Sequence, residues 1–319
     1  MGHLDGRVAV ITGAGRGIGR EHALLFAAEG AKVVVNDPGG AADGTSADLS
    51  VAQQVADEIT AAGGDAAVNT DSVSSWAGAK RIVDTAIETF GRLDVLVNNA
   101  GILRDRRLVN MTEEEFDAVI DVHLKGTFCT TRHAAAYWRA QAKAGEPVHA
   151  SVINTSSPAG LFNNVGQANY GAAKTAIATF SMIAAKELRA YGVRVNTICP
   201  VARTRLTLQT PGLEDLLAPP EGADAFDSFD PANISPLVAY LATEECKFSG
   251  TIFHVHGGNV GVFAGWPLLG MISSEQRWTV GELERDAKTL LAAAPEKDGF
   301  LLSELDAPDV GLPADGEAA

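Results

Sequence analysis

Short apolar runs alternate along the chain with longer stretches in which apolar residues recur every three or four positions. The short runs are rich in β-branched residues and apolar on both faces, as strands buried in a parallel sheet are. They cover Arg7–Thr12, Ala31–Asn36, Ala66–Thr70, Leu93–Asn98, Ser151–Thr155, Val193–Ile198 and Thr251–Val255. The longer stretches predict helices over Ile18–Glu29, Asp48–Ala62, Ser75–Phe90, Thr112–Lys143 and Asn169–Ala190. This alternation predicts an α/β fold with a doubly wound parallel sheet of about seven strands.

Two segments interrupt the alternation. Thr204–Pro231 contains four prolines and several acidic residues, and we interpret it as a mobile loop over the substrate. After about Gly265 the predicted sheet is complete, Ser273–Ala294 predicts an appended amphipathic helix, and the chain from Pro295 onward is predicted to be poorly ordered. We therefore predict one domain over 1–265, which carries the cofactor and active sites, and an extension with a flexible tail over 266–319.

Charge and composition exclude several classes of function. The chain has 40 acidic against 25 basic residues, a formal charge of −15, which disfavours binding to nucleic acid. No apolar run approaches the roughly 18–20 residues of a membrane span, and the start lacks an apolar signal segment, so we expect a soluble cytoplasmic protein. The three cysteines are far apart, and His254 and His256 have no third ligand nearby in sequence. We therefore predict neither a disulfide framework nor a metal site.

A glycine-rich string joins the first predicted strand to the first predicted helix. Its glycines permit a tight turn and bring backbone N–H groups and the helix dipole towards a pyrophosphate. The string alone is a weak signal, but its position is the one that a dinucleotide site requires. The residues predicted to contact the cofactor here are Gly13, Arg16, Gly17, Ile18 and Gly19.

The end of the second strand bears on the choice of cofactor. Asp37 can bind both ribose hydroxyls of the adenosine half and would repel a 2′-phosphate, which favours NAD. Arg16 favours the opposite choice, since an arginine in this loop can pair with a 2′-phosphate. We give Asp37 more weight because its position at a strand end is tightly defined. The alternative is that Asp37 is an ordinary turn residue before Pro38.

The third and fourth strands end in further candidate contacts. Asp71 can hydrogen-bond the adenine amino group, and Ser72 is the next residue. The small residues and backbone of Asn99, Ala100 and Gly101 suit the close passage of a cofactor. All these positions lie at the carboxyl ends of strands, where open α/β sheets bind ligands.

Tyr170 and Lys174 place a phenol and an ammonium group four residues apart on one helix face. A nearby cation favours the phenolate, so we expect the pKa of Tyr170 to be lowered. A tyrosine tuned in this way can take the proton of an alcohol while hydride leaves the carbon. Ser157 comes after the fifth strand, and its hydroxyl can hold the substrate oxygen.

Taken together, Thr12–Gly19, Asn98–Gly101, Ser157 and Tyr170–Lys174 resemble the short-chain dehydrogenase/reductase family, from roughly Leu4 to Val262. The resemblance implies a Rossmann-type fold, an NAD(P)-dependent oxidoreductase with Ser157, Tyr170 and Lys174 as catalytic residues, and a homodimer or homotetramer. It also implies nicotinamide contacts at Pro200, Val201 and Thr204.

The chain departs from the family pattern at two positions. His123 stands where many members have an asparagine that supports a water relay to the lysine, and Val201 stands where many have glycine. We include His123 among the catalytic candidates, with a role in the relay as one interpretation and an ordinary buried histidine as the other.

Several segments, among them Asn98–Arg106 and Val122–Gly126, are similar to the (3R)-hydroxyacyl-CoA dehydrogenase part of multifunctional β-oxidation enzymes. This implies oxidation of a hydroxyacyl-CoA. Arginines after strand ends could attract the CoA phosphates or merely be solvated; they are Arg104, Arg106, Arg107, Arg203 and Arg205. The alternatives are a hydroxysteroid dehydrogenase and a non-catalytic NAD-binding sensor; the intact Ser157, Tyr170 and Lys174 argue against the sensor.

Overall fold

The structure is a computed structural model that describes residues 2–45, 48–209, 217–222, 225–265 and 269–293. The chain divides into two compact units, Met1–Val262 and Phe263–Ala319. The division into 1–265 and 266–319 stays a prediction from the sequence. The predicted disorder from Pro295 onward lies outside the described residues.

The first unit is built on one sheet of eight strands. They are β1 (Val8–Thr12), β2 (Lys32–Asn36), β3 (Ala66–Asn69), β4 (Val95–Asn98), β5 (Ala150–Thr155), β6 (Val193–Val201), β7 (Ile252–His256) and β8 (Asn259–Val262). The strand order is β3-β2-β1-β4-β5-β6-β7-β8, parallel throughout except for β8, which pairs antiparallel with β7. The predicted doubly wound Rossmann-type fold is confirmed, with one more short strand at its edge.

Helices cover both faces of the sheet. In the first unit they are α1 (Gly17–Ala28), α2 (Ser50–Ala61), α3 (Trp76–Phe90), α4 (Glu113–Ile120), α5 (Gly126–Lys143), α6 (Pro158–Leu161), α7 (Ala168–Leu188) and α8 (Ser235–Ala242). Because β1 and β4 are buried on both faces, the sheet contributes to two apolar layers. Successive residues of β1 alternate between these layers: Val10 belongs to one and Ile11 to the other.

One predicted helix, Thr112–Lys143, is interrupted in the structure. It begins with Thr112, whose hydroxyl accepts from the backbone N–H of Glu115 at 3.2 Å, and the Glu115 carboxylate accepts from the backbone N–H of Thr112 at 3.1 Å. Five residues, Asp121–Lys125, then form a π-helical turn between α4 and α5. Such turns are often found at functional sites, and this one carries His123.

The Pro-rich segment Thr204–Pro231 is only partly described. It contains a 3-10 turn at Thr207–Gln209, and a second 3-10 turn, Pro231–Ile234, leads into α8. The predicted mobile loop includes residues 210–216 and 223–224, which lie outside the described residues. In the second unit, α9 spans Val280–Ala293, and Thr279 and Glu282 form hydrogen bonds at its start.

Candidate active site

The carboxyl edge of the sheet brings together the ends of the strands that the sequence singled out. The glycine-rich turn comes after β1, Asp37 after β2, and Asp71 after β3. Asn99 comes after β4, Ser157 after β5, and Pro200 and Val201 end β6. Neighbouring strands in the order β3-β2-β1-β4-β5-β6 therefore bring these residues to the same edge of the sheet.

The glycine-rich turn leaves room and N–H donors for a phosphate group. Gly13 has a φ of +65°, and a Cβ on Gly19 would lie 2.2 Å from the Gly13 carbonyl oxygen, so a side chain is excluded at Gly19. No side chain caps the N-terminus of α1 at Arg16, and its first turn carries no acidic residue. The free N–H groups of a helix start are a natural anion site, so this turn fits a dinucleotide pyrophosphate.

The Asp37 carboxylate is held in place by backbone groups. Its two oxygens accept hydrogen bonds from the N–H of Gly15 at 3.0 Å and of Gly39 at 2.7 Å. Two arginines approach the same loop, since Arg16 donates to the Gly40 carbonyl at 3.2 Å and Arg205 donates to it at 3.1 Å. A fixed negative charge and two guanidinium groups thus surround the expected position of the adenosine ribose.

Asp71 and Ser72, after β3, already have partners within the protein. Arg81 Nε donates to Asp71 Oδ1 at 2.9 Å, and this hydrogen bond holds the pKa of the Asp71 carboxyl below its usual value. The Ser72 hydroxyl lies 2.9 Å from that of Ser74. The predicted contact between Asp71 and adenine stays a prediction.

Asn99 and Ala100, after β4, support the glycine-rich turn, and the next residue, Gly101, lies against the His123 ring. The amide of Asn99 donates to the carbonyl of Thr12 at 3.1 Å and to that of Gly13 at 3.2 Å. The Thr12 hydroxyl accepts from the backbone N–H of Asn99 at 3.0 Å and of Ala100 at 3.1 Å. The Asn99 side chain therefore braces the turn.

Ser157, Tyr170 and Lys174 come together beside the ends of β5 and β6. Ser157 caps the short helix α6, where its hydroxyl accepts from the Ala159 N–H at 3.2 Å. Lys174 Nζ lies 5.5 Å from the centroid of the Tyr170 ring and donates to the Thr155 carbonyl at 2.6 Å. A phenol, a hydroxyl and an amine therefore share one site.

The pKa values of this group differ from the expectation. Burial raises the pKa of Tyr170 to about 12, although a hydrogen bond with Ser157 acts in the opposite direction. Burial also lowers the pKa of Lys174 to about 7. The pKa of Tyr170 is therefore raised, contrary to the expectation that it is lowered, because desolvation by burial is the largest influence on the phenol.

His123 packs against Tyr170 from the π-helical turn. Its ring meets the Tyr170 ring edge-on, with centroids 5.1 Å apart, and it is 2% exposed. Nε2 lies 2.8 Å from the Ile102 carbonyl oxygen, whereas Nδ1 is buried and has no hydrogen-bond partner among the described residues. Burial, followed by the charge of Lys174, lowers the pKa of His123 to about 3, so the imidazole is neutral.

The end of β6 faces the glycine-rich turn. A Cβ placed on Gly17 would lie 3.6 Å from the methyl carbon of Thr204, which puts this threonine beside the start of α1. The Thr204 hydroxyl accepts from the backbone N–H of Thr207 at 3.2 Å. Pro200 and Val201 end β6 at the carboxyl edge of the sheet, and Thr204 lies beside the glycine-rich turn.

The family model for short chain dehydrogenases matches residues 7–210. The chain belongs to the short-chain dehydrogenase family. It is therefore an oxidoreductase that acts on CH–OH groups, in a family that generally uses NAD(P).

Two relatives and one solved structure locate the chain within this family. The crystal structure of a short chain dehydrogenase from Mycobacterium avium is 50% identical, with a TM-score of 0.82, over 93% of this chain and 99% of that one. Hydroxyacyl-CoA dehydrogenase ChsB1 of Mycobacterium tuberculosis is 40% identical over 95% of this chain and 94% of that protein. The peroxisomal hydratase-dehydrogenase-epimerase of Saccharomyces cerevisiae is 47% identical over 255 residues, and this dehydrogenase spans 26% of its length.

Some site contacts in this dehydrogenase have no signal in the sequence. The carbonyls of Thr155 and Ile102 hold Lys174 and His123 through backbone oxygens, which any residue type would supply. Asp105 is a further group of the site: its carboxylate accepts from the Gln167 amide at 2.7 Å, burial raises its pKa, and its charge contributes to the raised pKa of Tyr170.

The arginines that could attract CoA differ in whether an acidic side chain already pairs with them. Arg106 pairs with Glu115 at 2.9 Å, and Arg203 pairs with Asp227, so both are largely neutralised. Arg104 donates to the Asp43 backbone carbonyl at 2.8 Å and forms no ion pair among the described residues. Among the described residues, Arg107 has no ion-pair partner.

Within the same described residues, no three His, Cys, Asp or Glu side chains come together as metal ligands would, and the centroids of the His254 and His256 rings are 6.5 Å apart. No described helix is both long enough and apolar enough to cross a bilayer. The absence of a bound metal stays a prediction.

Proposed function

We propose that this dehydrogenase oxidises a (3R)-hydroxyacyl-CoA, or a related CoA thioester of a secondary alcohol, to the ketone with NAD as hydride acceptor. The convergence of Ser157, Tyr170 and Lys174 supports the reaction. The substrate class rests on the similarity to hydroxyacyl-CoA dehydrogenase ChsB1, which extends over nearly the full length of both chains.

When bound, NAD supplies the nicotinamide that accepts the hydride. The candidate contacts that hold it are the glycine-rich turn (Gly13, Arg16, Gly17, Ile18, Gly19), Asp37, Asp71, Ser72, Asn99, Ala100, Gly101, Tyr170, Lys174, Pro200, Val201 and Thr204. The charge of Asp37 favours NAD over NADP, because it would face the additional 2′-phosphate of NADP.

Ser157, Tyr170 and Lys174 have separate roles in binding the substrate hydroxyl and removing its proton. Ser157 and Tyr170 hydrogen-bond the substrate hydroxyl and orient its carbon. Tyr170 accepts the hydroxyl proton as the carbonyl forms. The phenolate of Tyr170 is the form that accepts the proton, and with a pKa of about 12 it is scarce at neutral pH, so the reaction needs positive charge beside it. Lys174 supplies this charge in its protonated form, which is present below its own pKa of about 7.

His123 takes part in the relay that passes the proton on towards solvent. Nε2 lies 2.8 Å from the Ile102 carbonyl oxygen and 3.1 Å from the Ile102 backbone nitrogen, so the backbone of Ile102 offers this nitrogen a partner in either tautomer, and Nδ1 is left buried without a partner among the described residues. A water hydrogen-bonded to Nδ1 would satisfy this atom and connect the Lys174 region to solvent. Replacing His123 with Leu should lower kcat about tenfold and alter its pH profile, while His123→Asn should retain most activity. Equal loss in both variants would contradict the relay.

The substrate is tested by comparing kcat/KM for a (3R)-hydroxyacyl-CoA, a 17-hydroxysteroid and a CoA-free analogue of the thioester, at low and high salt. We expect the CoA thioester to be favoured by more than about tenfold (~1.4 kcal/mol) over the analogue. Arg104 and Arg107 form no ion pair among the described residues, so this preference should weaken with salt. A higher kcat/KM for the steroid, or a change of less than about tenfold in kcat/KM when CoA is removed, would contradict the thioester proposal and favour the hydroxysteroid as substrate.

The expected assembly is a homodimer or homotetramer, located in the cytoplasm. Exposed apolar side chains on α3, α5 and α7, namely Trp76, Phe128 and Ile183, support self-association. Light scattering coupled to size-exclusion chromatography measures it: a monomer at micromolar concentration would contradict this part of the proposal.

A further inference from the structure

A groove of about 880 Å³ lies at the amino ends of β5, β6 and β7. It is lined by the end of α7, the start of β6 and the loop between α8 and β7. Tyr170 lies at the other edge of the sheet. The six residues of β5, Ala150–Thr155, separate the two edges by roughly 20 Å. A ligand in this groove would therefore be outside the cofactor cleft.

The side chains of the groove carry an excess of positive charge. Lys186, Arg189, Arg194 and Lys247 line it, and Glu244 is its one lining carboxylate among the described residues. The whole chain has the opposite balance, 25 basic against 40 acidic residues. Four cations around one groove are therefore a local feature of an acidic protein.

The existing contacts leave most of this positive charge uncompensated. The Glu244 carboxylate is engaged by Arg7 at 3.2 Å, a cation that does not line the groove. Within the described part of the chain, Lys186, Arg189 and Lys247 form no ion pair. The groove therefore has three flexible cations free to close on an anion.

Arg194 provides a fixed point at the start of β6. Its guanidinium donates to the Leu241 carbonyl at 2.9 Å and to the Thr243 carbonyl at 2.6 Å, at the end of α8. Carbonyl groups orient this side chain without neutralising its charge. The groove thus combines one positioned guanidinium with the mobile charges of Lys186, Arg189 and Lys247.

Apolar side chains line the rest of the groove. Val193 and Cys246 are buried, and Val148, Met182 and Ala185 lie beside them. A groove of this volume is in the range of small-molecule sites, which combine apolar walls with a few polar groups. Its lining matches a molecule that has both a multiply charged anionic group and an apolar body.

We propose that this groove binds an organic phosphate, in which a phosphate or pyrophosphate group is joined to an aromatic or apolar body. The phosphate pairs with Lys186, Arg189 and Lys247, and Arg194 adds its fixed charge. The body lies against Val148 and its apolar neighbours. Free nucleotides and CoA share this chemistry, and the test separates them.

The test is calorimetric titration of ADP, CoA and pyrophosphate into the full chain saturated with NADH, at constant ionic strength. NADH fills the cofactor cleft, so adenosine phosphates are not competing for it. We expect saturable binding of ADP or CoA, weaker binding of pyrophosphate, and a loss of about tenfold in affinity in the double variant Lys186→Glu/Arg189→Glu. Comparing ADP with CoA identifies the preferred source.

The matched control is Arg139→Glu/Lys143→Glu, which reverses two exposed cations at the end of α5 that do not line the groove. It should leave the affinity unchanged, and turnover of the hydroxyacyl substrate should be normal in both double variants. Equal weakening by both would show general charge attraction and overturn the proposal. So would no binding of any ligand, or CoA binding that Lys186→Glu/Arg189→Glu does not change, which would place CoA in the substrate cleft.

Discussion

A buried cation lies at the amino edge of the sheet, where the strands begin, and another at the carboxyl edge, where they end. The two cations differ in the groups that surround them. Arg7, just before β1 at the amino edge, is 5% exposed; it pairs with Glu244 at 3.2 Å and donates to the His149 carbonyl at 2.8 Å. Lys174, at the carboxyl edge, is 3% exposed and has the Thr155 carbonyl at 2.6 Å as its hydrogen-bond acceptor. No carboxylate among the described residues forms an ion pair with Lys174.

This difference in surroundings indicates which cation serves the stability of the fold and which serves the reaction. A buried charge with a carboxylate and carbonyls around it contributes to holding the fold together, and removing it leaves its partners uncompensated. A buried amine without a counter-charge costs folding free energy, and such a group is typical of an active site. Arg7 should therefore matter for stability and Lys174 for chemistry.

The largest effect is expected at the carboxyl edge, from Tyr170→Phe. The hydroxyl that exchanges the substrate proton is lost while the ring still packs against His123, so kcat should fall about a thousandfold. NADH affinity, measured by fluorescence titration, should stay near the wild-type value. Tyr240→Phe, on the exposed side of α8, is the control. Retention of more than about a tenth of kcat would remove Tyr170 as the acid/base.

At the amino edge, Arg7→Met should lower the free energy of unfolding by about 2 kcal/mol, because the carbonyls of Asp94 and His149 lose a charged hydrogen-bond donor. Urea denaturation measures this, and kcat of the folded protein should be unchanged. Arg139→Met is the control, because Arg139 is an exposed cation of α5 with no ion-pair partner among the described residues; it should cost at most about 0.5 kcal/mol. A similar loss in both variants would mean that burial of Arg7 carries no special stability.

The pH dependence of stability isolates Lys174. Its pKa of about 7 in the folded protein lies below the roughly 10.4 of an unfolded chain, so between these values the unfolded state binds more protons. Stability must then rise with pH in this range. The difference in unfolding free energy between the wild type and Lys174→Met should therefore rise by about 2 kcal/mol from pH 7 to pH 9.

This interval stays below the ordinary pKa of tyrosine, so the ionisation of Tyr170 does not contribute to the change. Lys186→Met, which removes an exposed lysine of the same helix, should show no such slope. A flat difference for Lys174→Met would mean that Lys174 stays charged in the folded protein, and the comparison with Arg7 would fail.

The sequence predicted the parts of the molecule that depend on residue type. Residues at strand ends, such as Asp37, Asn99 and Ser157, were found because a buried apolar run fixes where a strand stops and which residues come next. The eighth strand, Asn259–Val262, was missed because it is short, largely exposed and contains Gly261. The π-helical turn was missed because apolar spacing continues through it.

Contacts to backbone atoms and the partners of charged side chains could not be predicted. The positions of Lys174 and His123 depend on the Thr155 and Ile102 carbonyls, whose directions are set by loop geometry. The sequence did not show which of the arginines are paired, yet Arg106 forms an ion pair with Glu115, which lies nine residues further along the chain. Burial likewise reversed the expected pKa shift of Tyr170, because desolvation depends on the packed structure.

The smallest expected effect concerns the choice of cofactor. It extends the comparison of the two edges, because Asp37 is a charge at the carboxyl edge that backbone N–H groups hold in place. Asp37→Asn keeps an oxygen to accept from Gly15 or Gly39 but removes the charge that opposes a 2′-phosphate. We expect the wild type to prefer NAD in kcat/KM, and Asp37→Asn to reduce the preference about tenfold (~1.4 kcal/mol). Adding Arg16→Ala should restore part of it, since Arg16 would otherwise attract the phosphate. Asp65→Asn, which removes an exposed acid paired with Lys32 at 3.2 Å at the start of β2, is the control and should change the ratio little. A wild type that turns over NADP more efficiently would show that Arg16, and not Asp37, governs the choice.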